Sequence, residues 1–134
     1  MAQSLENTIT TRINHIALSV YDLDKSREFY EKIIQLKRIE EPFKDGLHEW
    51  FTIGGSAQFH LIKGATIITE HHKSSHNCFS VSSVDAFILH LNKHNIPFIN
   101  WKGEANIPTV RVDGVKQIYL KDPDGYWIEI NDAK

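Results

Sequence analysis

The chain has 134 residues, a formal net charge of −2 and a hydrophobic fraction of 41%. That length suffices for one compact domain, 1–134, and is too short for two ordinary ones. The near-neutral charge argues against a nucleic-acid binder, which needs a basic face, and no apolar stretch reaches the length of a membrane span.

The N-terminal segment, Met1 to Thr11, is polar and lacks the apolar core of a signal peptide. We therefore expect a short disordered lead-in and a cytoplasmic protein. The single cysteine, Cys78, cannot form an internal disulfide, which fits a reducing compartment. Its expected role is that of a small buried apolar side chain.

The sequence contains an internal repeat of one structural unit. The segment His15-Ile-Ala-Leu-Ser-Val20 has a counterpart in His76-Asn-Cys-Phe-Ser-Val81, because both begin with histidine and end in Ser-Val. An amphipathic helical stretch and several short strand-like runs follow each segment. The polar stretch from Gly64 to Ser75 joins the halves, each of which is too small to bury a core alone. The sequence therefore predicts an α+β protein built from two modules, at about 12–63 and about 76–131.

In the first module, Asp24 is the predicted helix N-cap, and Phe29, Tyr30 and Ile33 form the apolar side. Gly54-Gly55 predicts a turn between the last two strands. The predicted strands after the helix are Leu36 to Glu40, Glu49 to Ile53 and Gln58 to Ile62.

In the second module, Ser82 or Ser83 is the predicted N-cap and Asn95 the predicted helix end. Asp122-Pro-Asp-Gly125 predicts a hairpin, since proline presets φ and glycine accepts a positive one. The predicted strands are Pro97 to Asn100, Pro108 to Val112, Lys116 to Lys121 and Tyr126 to Asn131.

Strand periodicity places four potential metal ligands on the faces that point away from the helices. Successive strand side chains point to opposite faces, so His15 lies opposite the apolar side of its strand. The same rule applies to His60, His76 and Glu129. Each module thus offers one ligand from its first strand and one from its last, and curled sheets would let the four converge at the floor of a cleft.

The residue types suit a single divalent ion. Imidazole and carboxylate together bind Zn²⁺, Ni²⁺, Mn²⁺ or Fe²⁺. A buried carboxylate such as Glu129 needs a cation or strong donors. The alternatives are core histidines satisfied by backbone bonds, a solvated Glu129 on an edge strand, and a His60 that lines the pocket without ligating.

Several further side chains are candidates for a substrate pocket. The aromatic candidates could equally be core residues, Arg111 could form a surface ion pair, and His48 could simply begin a strand. The candidate pocket residues are Trp50, Trp101, Arg111, Trp127 and His48.

At these residues the sequence resembles the vicinal oxygen chelate superfamily, which includes glyoxalase I, fosfomycin-resistance proteins, extradiol dioxygenases and bleomycin-binding proteins. The resemblance covers nearly the whole chain after Thr11. The segments that carry it are Asn14 to Tyr30, Phe59-His-Leu-Ile62, His76 to Val81 and Asp122-Pro-Asp-Gly-Tyr-Trp-Ile-Glu129.

The resemblance implies paired βαβββ modules that form a curved, half-barrel mixed sheet around a cleft. It implies one divalent metal ion on His15, His60, His76 and Glu129. It also implies a homodimer in which the first module of one chain faces the second module of its partner. The shared chemistry is chelation of a substrate's neighbouring oxygens by an ion that acts as a Lewis acid.

Some positions depart from the pattern of bacterial glyoxalase I. The ligand at the His60 position is usually glutamate there, and the glutathione-contacting arginine and asparagine would fall near Ser19 and Gly64. Both are absent, which disfavours a glutathione hemithioacetal as the substrate. Tyr119 stands where extradiol dioxygenases have an active-site tyrosine.

Three functions follow as hypotheses. The leading one is a glyoxalase-like lyase or isomerase, or a thiol- or epoxide-transferase relative, with Glu129 or a metal-bound water as base. The second is an Fe²⁺-dependent ring-cleaving dioxygenase with Tyr119 as the acid/base. The third is a metal-free protein that binds a small molecule such as a drug.

Overall fold

A computed structural model describes residues 8–134, and residues 1–7 of the predicted lead-in lie outside the described part. Two separate four-stranded mixed sheets form the framework. The first sheet contains β1 (His15–Val20), β2 (Lys37–Ile39), β3 (His48–Thr52) and β4 (Gln58–Lys63). The second contains β5 (His76–Ser80), β6 (Thr109–Val110), β7 (Lys116–Lys121) and β8 (Trp127–Asn131). The predicted α+β class is confirmed.

The two sheets have the same topology, as the repeat predicts. Their strand orders are β1-β4-β3-β2 and β5-β8-β7-β6. In each sheet the first strand pairs in parallel with the last, and the remaining pairs are antiparallel. Because the first strand crosses to the last, the potential ligands of each module lie on neighbouring strands.

The first helix begins earlier than the sequence predicts and changes its winding. Helix α1 spans Leu23–Glu28, and Asp22, not Asp24, caps it by accepting a hydrogen bond from the backbone of Lys25. Leu23 is buried, so the apolar face already includes the residue just before the predicted cap. A π-helical segment, Phe29–Ile33, follows directly.

The second helix matches its predicted ends. Helix α2 spans Val84–Lys93, and the side chain of Ser83 accepts a hydrogen bond from the backbone of Ala86. Asn95 adopts a φ of 56°, the left-handed conformation typical of a residue that ends a helix.

Pro97 to Asn100 is not a full strand, which corrects the prediction. Pairing there is reduced to bridges from Ile99 to Ala105 and to Tyr119. Pro97 has no N–H to donate to a ladder, and Asn100 turns instead to bind Glu104. The other strand ends agree with the prediction to within one or two residues.

One hydrophobic core contains residues from both modules, among them Tyr30 and Phe59 from the first and Leu91 and Ile128 from the second. A buried polar contact supports this junction, because Tyr30 donates a 2.6 Å hydrogen bond to Asp122 of the β7–β8 hairpin. Burial raises the pKa of both side chains. Among residues 8–134, no helix is long and apolar enough to cross a membrane.

Candidate metal centre in two half-sites

Each sheet has one face on the core and one open face. In β1, Ile16, Leu18 and Val20 turn inward while His15 is exposed, as the period-two pattern predicts. The open faces carry all four predicted ligands.

The pairing register gives the two modules the same ligand geometry. In the first sheet, Ala17 pairs with His60, and His15 stands two residues before Ala17. In the second sheet, Cys78 pairs with Glu129, and His76 stands two residues before Cys78. Each first-strand histidine is therefore diagonal to the last-strand ligand. We call His15 with His60 half-site one, and His76 with Glu129 half-site two.

Half-site one is held mainly by stacked rings. The His60 ring lies between Trp50, with centroids 3.9 Å apart, and His15, with centroids 4.2 Å apart. One ring nitrogen of each histidine contacts a neighbouring amide oxygen: Nδ1 of His15 lies 2.7 Å from Asn14, and Nε2 of His60 lies 2.8 Å from Gln58. Burial and the nearby His15 lower the pKa of His60, which favours the neutral ring that ligation requires.

Half-site two is held by hydrogen bonds to the Glu129 carboxylate. Tyr119 donates to Oε1 at 2.6 Å. Cys78 and Asn131 donate to Oε2 at 3.1 and 2.9 Å. Burial alone would raise the pKa of Glu129, but these hydrogen bonds outweigh it and lower the pKa. The carboxylate is therefore held in its anionic, metal-binding form.

His76 is oriented toward this carboxylate. Its Nδ1–H donates a 2.8 Å hydrogen bond to the backbone oxygen of Lys73, which leaves the lone pair of Nε2 free. Nε2 lies 3.4 Å from Oε1 of Glu129. An imidazole nitrogen and a carboxylate oxygen are donor types that suit Zn²⁺, Mn²⁺, Ni²⁺ or Fe²⁺, and here they face one another.

The connector between the modules supports this orientation. The indole N–H of Trp127 donates to the backbone oxygen of His71 at 3.0 Å, and the His71 ring stacks on Tyr126 with centroids 4.3 Å apart. Gly125 has a φ of +82°, and a Cβ there would lie 3.0 Å from the backbone oxygen of Thr69. Glycine therefore lets the connector pass close over the β7–β8 hairpin.

The four predicted ligands form two pairs in one chain, not one cluster. Within residues 8–134, no three His, Cys, Asp or Glu side chains are close enough together to hold a metal ion. The residue types in each half-site fit a metal ion, but neither half-site alone supplies the usual three or four protein ligands.

The predicted pocket residues lie at different distances from the half-sites. Trp50 stacks on His60, and the exposed Trp101 ring lies 5.5 Å from that of Tyr119. Arg111 forms an ion pair with Asp113. The remaining two, His48 and Trp127, also lie on open strand faces: the His48 ring lies 4.5 Å from Phe43, and Trp127 is bound to the connector.

Sequence reasoning missed part of half-site two. Cys78 is exposed and bonded to Glu129, so its predicted role as a buried apolar residue is wrong. Asn131 and Lys73 were not recognised. The period-two pattern already placed Cys78 and Asn131 on the ligand face, so their proximity to Glu129 could have been predicted. No pattern in the sequence indicated the contact that Lys73 makes from the connector.

Comparison with known proteins agrees with this architecture. A family model described as the Glyoxalase/Bleomycin resistance protein/Dioxygenase superfamily matches residues 12–130. The metallothiol transferase FosB of Bacillus licheniformis is 29% identical over 129 residues, which cover 95% of this chain and 79% of that protein. FosB of Shouchella clausii is 30% identical over 123 residues, which cover 89% of this chain and 78% of that protein.

Solved structures show the same fold. A glyoxalase/dioxygenase from Nostoc punctiforme superposes with a TM-score of 0.73 at 22% identity, covering 90% of this chain and 89% of that one.

Proposed function

The chain belongs to the glyoxalase/bleomycin resistance protein/dioxygenase superfamily, and on that premise we propose that it is a metal-dependent enzyme acting on a small substrate with neighbouring oxygen atoms. The observation that carries the proposal is the matched pair of half-sites on equivalent strands. Half-site one offers two imidazoles, and half-site two offers an imidazole and an anionic carboxylate.

The complete site forms between two copies of the chain. The open face of the first sheet in one copy covers the open face of the second sheet in its partner, so that His15 and His60 meet the partner's His76 and Glu129. A two-fold axis then produces two identical sites per dimer. Exposure of His15, Ala17 and Ser19 on one open face, and of Cys78 and Ser80 on the other, leaves both faces accessible for this contact.

A bound ion would supply Lewis acidity to the substrate oxygens. The chain's own residues do the rest. Tyr119 and Asn131 fix the Glu129 carboxylate, and Lys73 fixes His76 through its backbone oxygen. Trp50 and Trp101 provide flat apolar walls beside the two half-sites.

The reaction class we favour is a glyoxalase-like lyase or isomerase, or the transfer of a thiol to a small electrophile. The name of the FosB relatives, metallothiol transferase, supports the second form. Ser19 and Gly64 lie side by side, since a Cβ on Gly64 would be 3.6 Å from the Ser19 hydroxyl. Neither carries a charge, so this spot does not favour the carboxylates of glutathione.

The first experiment is metal binding by protein purified without chelator. We expect one Zn²⁺, Ni²⁺, Mn²⁺ or Fe²⁺ per chain and a dimer in sedimentation. Both His15→Ala and Glu129→Gln should lose the ion, although they belong to different half-sites. Glu28→Gln changes a carboxylate exposed on helix α1, where it pairs with Lys32, and this surface control should keep the ion.

The outcome also separates the competing functions. Iron together with oxygen consumption on a catechol would favour the ring-cleaving dioxygenase. Absence of metal binding, with tight binding of an aromatic molecule, would contradict the enzyme proposal and favour a binding protein.

A further inference from the structure

Lys73, near the end of the connector, lies against the aromatic wall of half-site two. Its Nζ is 4.8 Å from the centroid of the Trp101 ring and 5.8 Å from that of Tyr119. Tyr119 in turn donates to Glu129 at 2.6 Å. One aromatic ring therefore separates this ammonium from the carboxylate that we propose as a metal ligand.

The position of Lys73 is linked to that of the ligands. Its backbone oxygen accepts a 2.8 Å hydrogen bond from Nδ1 of His76, and its Nζ donates to the backbone oxygen of Trp101 at 2.5 Å. One end of the residue is thus tied to His76 of half-site two, and the other end to Trp101 beside it. These contacts hold the charge of Lys73 at a defined position beside the ligands.

Within residues 8–134, the charge of Lys73 has no acidic partner. The described part of the chain places no carboxylate within ion-pair distance of its Nζ. Arg111, the other cation near Glu129, is bound by Asp113 through two hydrogen bonds. One of the three ammonium donors of Lys73 is used by Trp101, so the others are available to a ligand.

We propose that Lys73 binds a negatively charged group of the substrate, a carboxylate or a phosphate-like oxyanion, next to the metal-chelating oxygens. This assignment rests on the proposed function. A divalent ion held by neutral imidazoles and a single carboxylate leaves a net positive charge, and Lys73 adds a second one. Contact with aromatic faces keeps part of the ammonium away from water, which strengthens its attraction for an anion. The preferred substrate is therefore a small anion.

The test uses inorganic phosphate as the probe and calorimetry as the readout, on protein with and without Zn²⁺. Lys73→Met keeps the alkyl chain over the rings and removes the charge, while Lys73→Arg keeps the charge. Lys121→Met is the matched control, since Nζ of Lys121 lies 4.9 Å from the Trp127 ring in a similar cation–π contact. Thermal unfolding verifies that each variant is folded.

We expect Lys73→Met to weaken phosphate binding by about tenfold, Lys73→Arg to restore most of it, and Lys121→Met to leave it nearly unchanged. Equal phosphate affinity in wild-type and Lys73→Met protein would overturn the assignment, as would a wild-type protein that binds no phosphate in either state. If wild-type protein bound no metal but still bound phosphate through Lys73, the proposed function would fail while the anion site stood.

Discussion

The two half-sites occupy equivalent strands of a repeated module, but they are stabilised in different ways. Half-site one is a stack of Trp50, His60 and His15, in which each histidine ring also contacts one amide oxygen of a neighbouring side chain. Half-site two surrounds Glu129 with side-chain donors, among them Tyr119, Cys78 and Asn131. Neutral imidazoles tolerate burial against other rings, whereas a buried carboxylate needs donors to offset its lost hydration. The last-strand ligand is thus packed against rings where it is His60 and surrounded by hydrogen-bond donors where it is Glu129.

The largest expected effect concerns Cys78, which donates to Glu129. Although the residue as a whole is exposed, partial burial of its thiol, together with the hydrogen bond to Glu129 and the charge of that carboxylate, raises the pKa of the thiol to about 12. Only the thiolate reacts with alkylating agents, so at pH 8 alkylation should be about a thousandfold slower than for a free cysteine. The rate should rise tenfold per pH unit up to about pH 11.

Mass spectrometry of iodoacetamide-treated protein gives this rate. Glu129→Gln should accelerate the reaction, because it removes the negative charge that disfavours a thiolate. A wild-type rate equal to that of a free thiol would mean that the Cys78–Glu129 contact is absent in solution.

The next effect is the loss of the carboxylate itself. Glu129→Gln is nearly isosteric but neutral, so metal affinity should fall more than about a hundredfold, above the range for residues that merely support a ligand. Titration with Zn²⁺ measures the affinity. Glu104→Gln provides a matched change at a carboxylate that binds Asn100 outside the half-sites. Unchanged affinity in Glu129→Gln would remove Glu129 from the ligand set.

Removal of one supporting donor should have a smaller effect. Tyr119→Phe deletes the hydroxyl that binds Oε1 of Glu129 and keeps the ring beside Trp101. Because such outer contacts orient a ligand, we expect about a tenfold loss of metal affinity, with the fold retained. Zn²⁺ titration measures the affinity, and circular dichroism verifies the fold. A much larger loss of affinity, or no loss, would contradict this role of Tyr119.

The smallest effect tests the stacked half-site. The indole N–H of Trp50 is buried and has no hydrogen-bond partner among residues 8–134. Trp50→Phe removes that group and keeps an aromatic face for His60, so metal affinity should change less than about twofold. Trp50→Ala abolishes the stack and should weaken binding clearly. Equal behaviour of the two variants would show that stacking does not position His60.

Much of this comparison could be predicted from the sequence, because it depends on local periodicity. Alternation along β1, β4, β5 and β8 predicted that the four ligands lie on the open faces. The repeat predicted that both sheets have the same topology. The Asp122-Pro-Asp-Gly125 hairpin could be predicted for the same reason, because its turn depends on neighbouring residues.

The remainder depends on contacts between distant segments. The sequence does not show that Tyr30 binds Asp122, or that the connector brings Lys73 to Trp101. It also does not show that one chain separates its ligands into two pairs. Side-chain faces follow from a period of two, but distances between sheets follow only from how the modules pack.

The central claim is that a complete site needs residues from two chains, and mixing two inactive variants tests it most directly. His15→Ala and His76→Ala each damage a different half-site, so each homodimer should lose tight metal binding. Unfolded together and refolded as a mixture, they should form heterodimers with one intact site, and tight Zn²⁺ binding should return in up to one quarter of all sites, since random pairing makes half of the dimers mixed. If the mixture bound no more tight Zn²⁺ than either variant alone, the shared site would be contradicted.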